Sequence, residues 1–481
     1  MTTSSFVLGM NKKTRRKKSP ARSPAKLPSA KSKSRSPSQI QDLAEIFSQH
    51  LKNLPLESLA RTSGFRRRKP KKLTPALFAQ AACLFVTLSA ASFRSWAGLI
   101  GWLGGCTLTK QALWERCTDR AAKFLQAILQ SLLVGLALQN GLGPPEALNC
   151  FGRVLLQDST TLAVSKALAR FFPGARNQRG TQGGLLKIQA CYDLLTQQFV
   201  HFSLSSFRRN DQAAAADVLP LLRAGDLVLR DLGYFVLEVL EQIAQAQAYF
   251  LSRFRVGVGL WETDGRTPVN LLAQLRRHGS LDRQFGCGDR KVPVRLVAVR
   301  LPATVAAERR RLARQNRDRR CPPSAERLAL LDWAIFITNV PRRVWSARTV
   351  AQMYGLRWRI EILFKAWKSH FALAEVPAGS KAQVESCIYA KLIFITLFQV
   401  CFARWRPETQ TEERPALSLL KVAQAIRDYL LMLVVRRQDT DVARAWQQLL
   451  HTHCRYERRR RRHFLQDAHG CGDARSKGPF E

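Results

Sequence analysis

Between Arg153 and Gln247 the chain divides into short apolar runs whose order leaves few folds open. The run "RVLLQDS" (153–159) reads as a strand, and "LLKIQACYDLLTQQFVHFSLSSF" (185–207) reads as two strands about a turn near Leu195–Gln198. A helix follows at "DQAAAADVLPLL" (211–222), then a strand ending in a turn at "DLVLRDLGYF" (226–235), then a helix at "LEVLEQIAQAQ" (237–247). Three strands, helix, strand, helix calls for a mixed sheet with helices on its faces.

That order is the opening of an α/β, RNase H-like fold. It is then interrupted by three more strand-like runs, at 248–262, 292–302 and 332–341, with the very basic stretch "RRRLARQNRDRR" (309–320) between the last two. The expected organisation is a basic arm (1–38) and a helical N-terminal domain (39–145). A first part of the core (146–247) follows, then a β-rich insertion (248–341) and a second part of the core (342–400). A helical C-terminal region (401–455) and a basic tail (456–481) complete it. Within the core, the helix over 347–372 resumes the main fold. The arm, "NKKTRRKKSPARSPAKLPSAKSKSRSP" at 11–37, has nothing to bury and reads as disordered. "NGLGPP" at 140–145 is the breaker ahead of the core.

The formal charge is +42 over 481 residues. Charge of that size predicts a polyanionic partner, and nucleic acid comes first because neutralised phosphates release counterions. Leu84–Leu103 is apolar but holds Arg94 and several small polar residues, and Phe124–Leu138 is shorter than the roughly 20 predominantly apolar residues of a span, so no membrane is expected. The N-terminus lacks the apolar stretch of a signal peptide. Eleven cysteines occur without a C-x-x-C pair, which argues against a zinc ribbon or redox motif and suits a reducing compartment.

"YGLRWRIEILFKAWK" (354–368) carries one acid, Glu361, among cations and aromatics. On a helix, Tyr354, Arg357, Glu361, Lys365 and Lys368 share an arc of about 80°. Leu356, Ile360, Leu363 and Trp367 face the other way and can bury; Trp358 also reads as core. On the helix alone, a solvated Arg357–Glu361 pair explains the pattern. Two further acids, Asp158 and Asp231, each end an apolar strand, where a lone Asp is ordinarily a turn or cap residue. Together the three acids suit a phosphoryl-transfer site, because hard divalent cations take carboxylate oxygens and a metal pair activates the attacking oxygen and stabilises the leaving one.

At these residues the chain resembles DDE transposases of the bacterial IS-four group. The signature is Tyr, two residues, Arg, three residues, Glu, six residues, Lys, met here by Tyr354, Arg357, Glu361 and Lys368. "DSTTL" (158–162) and "DLGYF" (231–235) resemble the two Asp motifs. The resemblance implies Asp158, Asp231 and Glu361 as ligands of two Mg²⁺ ions, with Mn²⁺ as substitute. It implies DNA contacts from Tyr354, Arg357 and Lys368, and a base-stacking role for Trp333; Lys365, on the same helical face, is expected to join the DNA contacts. It further implies cut-and-paste transposition of the element's own DNA through hairpin ends, a homodimer holding the two ends, and a cytoplasmic, nucleoid-associated bacterial protein. A non-catalytic DNA-binding derivative, or a nuclease of the same fold without strand transfer, is the alternative.

Overall fold

The computed structural model describes residues 49–68, 72–85, 92–136, 146–176, 182–315, 322–409, 417–435 and 440–455. The basic arm, the breaker at 140–145 and the tail from 456 lie outside them.

Among the described residues, the helices ahead of the sheet include α1 (Leu56–Thr62), α2 (Pro75–Leu84), α3 (Phe93–Gly104), α4 (Lys110–Arg116) and α5 (Asp119–Leu136). Their starts are written locally. Thr74 caps α2 by accepting from the Leu77 N–H, with Pro75 at the first helical position. Ser92 and Ser95 cap α3 reciprocally, and Gly105 ends it in the left-handed region at φ +58°.

The sheet is built from β1 (Val154–Val164), β2 (Pro173–Arg176), β3 (Gln182–Asp193), β4 (Gln198–Ser206), β5 (Leu227–Arg230) and β6 (Tyr249–Arg253). It continues through β7 (Leu260–Trp261), β8 (Leu281–Cys287), β9 (Val292–Arg300) and β10 (Trp333–Thr338). All ten belong to one sheet, in the order β2-β3-β1-β5-β6-β10-β9-β8-β7, with β4 also paired to β3. β1, β5 and β6 are parallel, and the other pairs are antiparallel.

The central strands are buried on both faces, and their side chains alternate between two cores. Leu156, Leu227, Leu229 and Leu251 join a core with the helices before β1 and after β10. Leu155, Val228 and Phe250 join one with α6 (Leu237–Gln245) and with Leu271 and Leu275 of α7 (Leu271–His278). The remaining helices are α8 (Ala303–Arg314), α9 (Ala325–Leu330), α10 (Ala347–Tyr354), α11 (Trp358–His370), α12 (Lys381–Thr409), α13 (Leu419–Val435) and α14 (Thr440–Thr452).

Several expectations change. β1 does not stop at Asp158: Ser159, Thr160 and Thr161 stay in register with Gln189, Ile188 and Lys187, as β-branched residues readily do. The helix expected over 211–222 is a 3₁₀ segment, Ala215–Leu221, holding Pro220, which has no N–H to give an α-helix. β6, read as the start of the insertion, pairs in parallel with β5 and extends the central sheet. The helix expected over 347–372 is divided by a 3₁₀ turn at Gly355–Arg357.

Among the described residues one helical stretch, Lys381–Ala403, has the length and apolarity to cross a membrane, and 94% of its apolar window is buried inside the fold. It packs on α5 and α2, so the N-terminal helices share their core with α12. The fully buried Lys391 of α12 donates to the carbonyls of Ala372 (2.5 Å) and Glu375 (2.6 Å), tying down the turn that follows α11. All nine described cysteines are free thiols.

Candidate active site

Strand parity explains why two acids share a side of the sheet. Asp158 has the parity of Leu156 and Leu162, and Asp231 that of Leu227 and Leu229; all four leucines belong to the core that α11 covers. α11 packs against β1 and brings Glu361 in its first turn to the same place. Asp231 immediately follows β5 and precedes a 3₁₀ turn, Leu232–Tyr234, but its side chain makes no capping hydrogen bond. The cap reading therefore does not account for it.

The three carboxylates converge on one guanidinium. Arg357 Nη1 is 2.6 Å from Glu361 Oε1 and 3.7 Å from Asp158 Oδ2, and its Nε is 3.7 Å from Asp231 Oδ1. The Tyr354 hydroxyl donates to Asp231 Oδ1 at 3.5 Å. Asp158 Oδ1 accepts from the Ser159 N–H at 2.7 Å. Arg357 is buried, with its side chain 9% exposed, so the Arg357–Glu361 pair is not the solvated pair that helical spacing suggests.

Burial pushes the Asp158 carboxyl up to about 7; the Ser159 N–H and Arg357 oppose the rise, while Glu361 and Asp231 add to it. Burial works against the Arg357 charge, yet Tyr354, Asp231 and Glu361 hold its pKa above the usual value. Burial also pushes the Tyr354 phenol up to about 12, so it is a neutral donor. Among the described residues no group of three or more His, Cys, Asp or Glu is gathered tightly enough to hold an ion as it stands. The donor set nevertheless fits a hard divalent cation, because it consists of carboxylate oxygens whose mutual repulsion calls for positive charge.

The other expected site residues divide. Lys365 and Lys368 are exposed on α11, and partial burial lowers the Lys368 pKa. Trp333 is buried, 7% exposed at the start of β10, and its indole N–H donates to the Gly279 carbonyl at 2.6 Å. Its ring belongs to the second core, with Leu330 and Ile335, and stacking on a base would require the ring to leave this seat. Trp358, expected in the core, is instead 52% exposed beside Arg357, whose guanidinium lies 5.3 Å from its ring centroid; Trp367 is fully buried as expected.

The model of the transposase DDE domain matches residues 149–397, about half of the chain. The chain belongs to this family. Its relatives include the transposase for insertion sequence element IS231E of Bacillus thuringiensis subsp. finitimus, 29% identical over 442 residues, covering 86% of this chain and 91% of the relative. The transposase for IS231F of Bacillus thuringiensis subsp. israelensis is 27% identical, covering 84% and 88%. The transposase for IS1151 of Clostridium perfringens is 25% identical, covering 60% and 65%. The matched span of the DDE domain contains all three converging acids.

One acid of this DDE domain gave no signal in the sequence. Asp211 lies on the opposite face of β1 from Asp158. Its Oδ1 accepts from Ser159 Oγ (2.9 Å), Lys187 Nζ (3.1 Å) and Gln189 Nε2 (3.3 Å). Its Oδ2 would lie 3.2 Å from a Cβ at Gly233, so the glycine of "DLGYF" lets the two segments approach closely. Gln189 also accepts from the Tyr234 hydroxyl. Asp211 thus ties the strand carrying Asp158 to the turn carrying Asp231. Asp211→Asn keeps the size but removes the charge opposite the nearly buried Lys187. It is expected to weaken Mn²⁺ binding by roughly 10-fold or more, as supporting groups around metal ligands do, with duplex-DNA affinity unchanged. Calorimetric titration with Mn²⁺ and a DNA-binding isotherm check the two halves.

Proposed function

We propose that the protein is the transposase of its own insertion sequence, and that Asp158, Asp231 and Glu361 are its catalytic acids. The convergence of these three carboxylates from two strands and a helix on Arg357 is the observation that carries the reading. Asp158, Asp231 and Glu361 would hold two divalent ions, Mg²⁺ or Mn²⁺ in this reading, which would supply Lewis acidity to the attacking water or 3′-hydroxyl and to the leaving oxygen.

The chain's own groups do the rest. Asp158 and Asp231 hold fixed positions on the sheet while Glu361 approaches from α11. Tyr354 and Arg357 lie against the acids, where a cleaved phosphate arrives, and Lys365 and Lys368 are presented for the adjoining backbone. Cleavage, hairpin formation, hairpin opening and joining to target are all in-line displacements at phosphorus, so one site can serve each step of cut-and-paste movement. The proposed setting is a homodimer on duplex DNA, associated with the bacterial nucleoid. The 39–145 region serves as the DNA-binding part, and the insertion, which begins after β6, lies between the two parts of the core.

The test is a strand-transfer reaction with Mg²⁺ on duplex DNA carrying the element's own ends. Joined product supports the proposal. Cleavage without joining makes the protein a nuclease, and binding alone makes it a regulator. Trp333→Ala is expected to reduce first nicking and hairpin formation alike, through a lower melting temperature, since emptying a buried aromatic site costs about 3–5 kcal/mol. A selective loss of the hairpin step, with the melting temperature intact, would instead restore the stacking role.

A further inference from the structure

The helical N-terminal part contains a cleft that the catalytic reading does not use. It has a volume of about 570 Å³ and lies between the chain following α1 and the α4–α5 corner, lined by Arg67, Arg68, Arg116 and Arg120 with a single carboxylate, Glu115. One of the four cations is held in place. Arg116 Nη2 donates to the Phe65 carbonyl at 3.0 Å, and its guanidinium lies 4.7 Å from the centroid of the Phe65 ring. The stem of Arg120 crosses Gly64, whose φ of +72° and missing side chain leave room; a Cβ there would lie 3.3 Å from Arg120 Cδ.

The neighbouring charges are arranged to leave this surface positive. Arg66 is paired with Glu57, away from the cleft, and Glu115 is engaged by Gln111 at 2.9 Å. Arg67 and Arg68 follow on non-helical chain with exposed side chains and no ion pair to a described carboxylate. Phe65 lies beneath, 4% exposed and stacked on Phe124, so the cleft offers guanidinium groups and no aromatic face for a base. Planar guanidinium forks, one of them already oriented, suit phosphate oxygens better than any neutral ligand.

We propose that this cleft is a second nucleic-acid contact of the chain, a seat for the phosphodiester backbone of duplex DNA outside the catalytic acids. It rests on the reading of the protein as a transposase, but it fixes position and affinity and carries no sequence information by itself.

The experiment measures full-length protein binding to a 30-base-pair duplex of arbitrary sequence by fluorescence anisotropy between about 50 and 300 mM salt. The Arg67→Gln/Arg68→Gln/Arg120→Gln variant is compared with a charge-matched control, Arg276→Gln/Arg277→Gln/Arg314→Gln, on the insertion. All three cleft positions are exposed, so the fold should survive, and matched melting curves confirm it. Each lost phosphate contact lowers the log–log salt slope by about 0.9. The cleft variant should therefore lose about 2–3 from the slope and about 10-fold or more in affinity near 150 mM salt, while the control changes the slope by less than about 1.

Equal losses in the two variants would overturn the proposal, since they would reflect the field of the whole protein. An unchanged slope in the cleft variant would overturn it too, as would stronger competition by duplex RNA than by duplex DNA. Failure of the transposase reading shows elsewhere: the parent protein would then give no joined product from the element's own ends, whatever the cleft does.

Discussion

Replacing any one of Asp158, Asp231 and Glu361 by alanine is expected to lower strand joining by about 10³-fold or more, as removing one member of a unit that acts together does. Affinity for duplex DNA should stay within about 2-fold, because a carboxylate removed from a basic surface takes no phosphate contact with it. Mn²⁺ binding, followed by calorimetry, should fall in parallel with joining. Loss of joining with Mn²⁺ binding intact would separate the acids from the metal.

A stability signature distinguishes Asp158 from the other two. Its folded pKa is raised from its ordinary 3.8 to about 7, so the folded state holds the proton more tightly than the unfolded chain between those values. Without divalent ions, the contribution of this group to stability is greatest at low pH and declines as pH rises from about 4 to 7. Asp158→Asn should flatten that decline, and should melt higher than the parent at pH 8. A parent whose melting temperature rises steadily from pH 4 to 7, with the variant parallel to it, would contradict the burial of charge at this site.

Much of the site was legible before the fold. Leu156 and Asp158 share parity, as do Leu229 and Asp231, and an apolar residue two positions away names the face on which an acid will lie. Ile360, Leu363 and Trp367 show which side of α11 turns inward. What periodicity could not supply was long-range pairing. Arg357 reads from its helix as the partner of Glu361 alone, yet it also reaches Asp158 and Asp231, residues in contact only because β1 and β5 are neighbours in the sheet. Asp211 stands in "RRNDQ", where any polar residue suits a loop, and its three hydrogen-bond partners lie on β1 and β3, with Gly233 of the turn after β5 close by. Trp358 was misjudged for a related reason: composition makes a tryptophan a core residue, but its position on α11 turns it away from the sheet.

The same geometry makes Arg357 the most consequential side chain after the acids. Arg357→Ala leaves three carboxylates around a partly buried space with no cation among them. Removing one partner of a buried charge cluster costs about 3–5 kcal/mol, somewhat less here because Glu361 and Asp231 are still partly in water. The loss should depend on pH. Arg357 holds the Asp158 pKa down, so its removal raises that pKa further, and the variant should be close to the parent near pH 5, where Asp158 is protonated in both. The gap should widen through pH 7 and 8 as Asp158 ionises in the parent and resists ionisation in the variant. Millimolar Mn²⁺ should narrow it, since a divalent ion supplies the missing positive charge; Arg357→Lys should fall between, keeping a charge but unable to span three carboxylates with one planar fork. Melting curves of the three proteins at pH 5, 7 and 8, each with and without Mn²⁺, test every part of this. A deficit that is the same at all three pH values and indifferent to Mn²⁺ would mean that Arg357 serves packing alone, and that the three acids do not form one electrostatic unit.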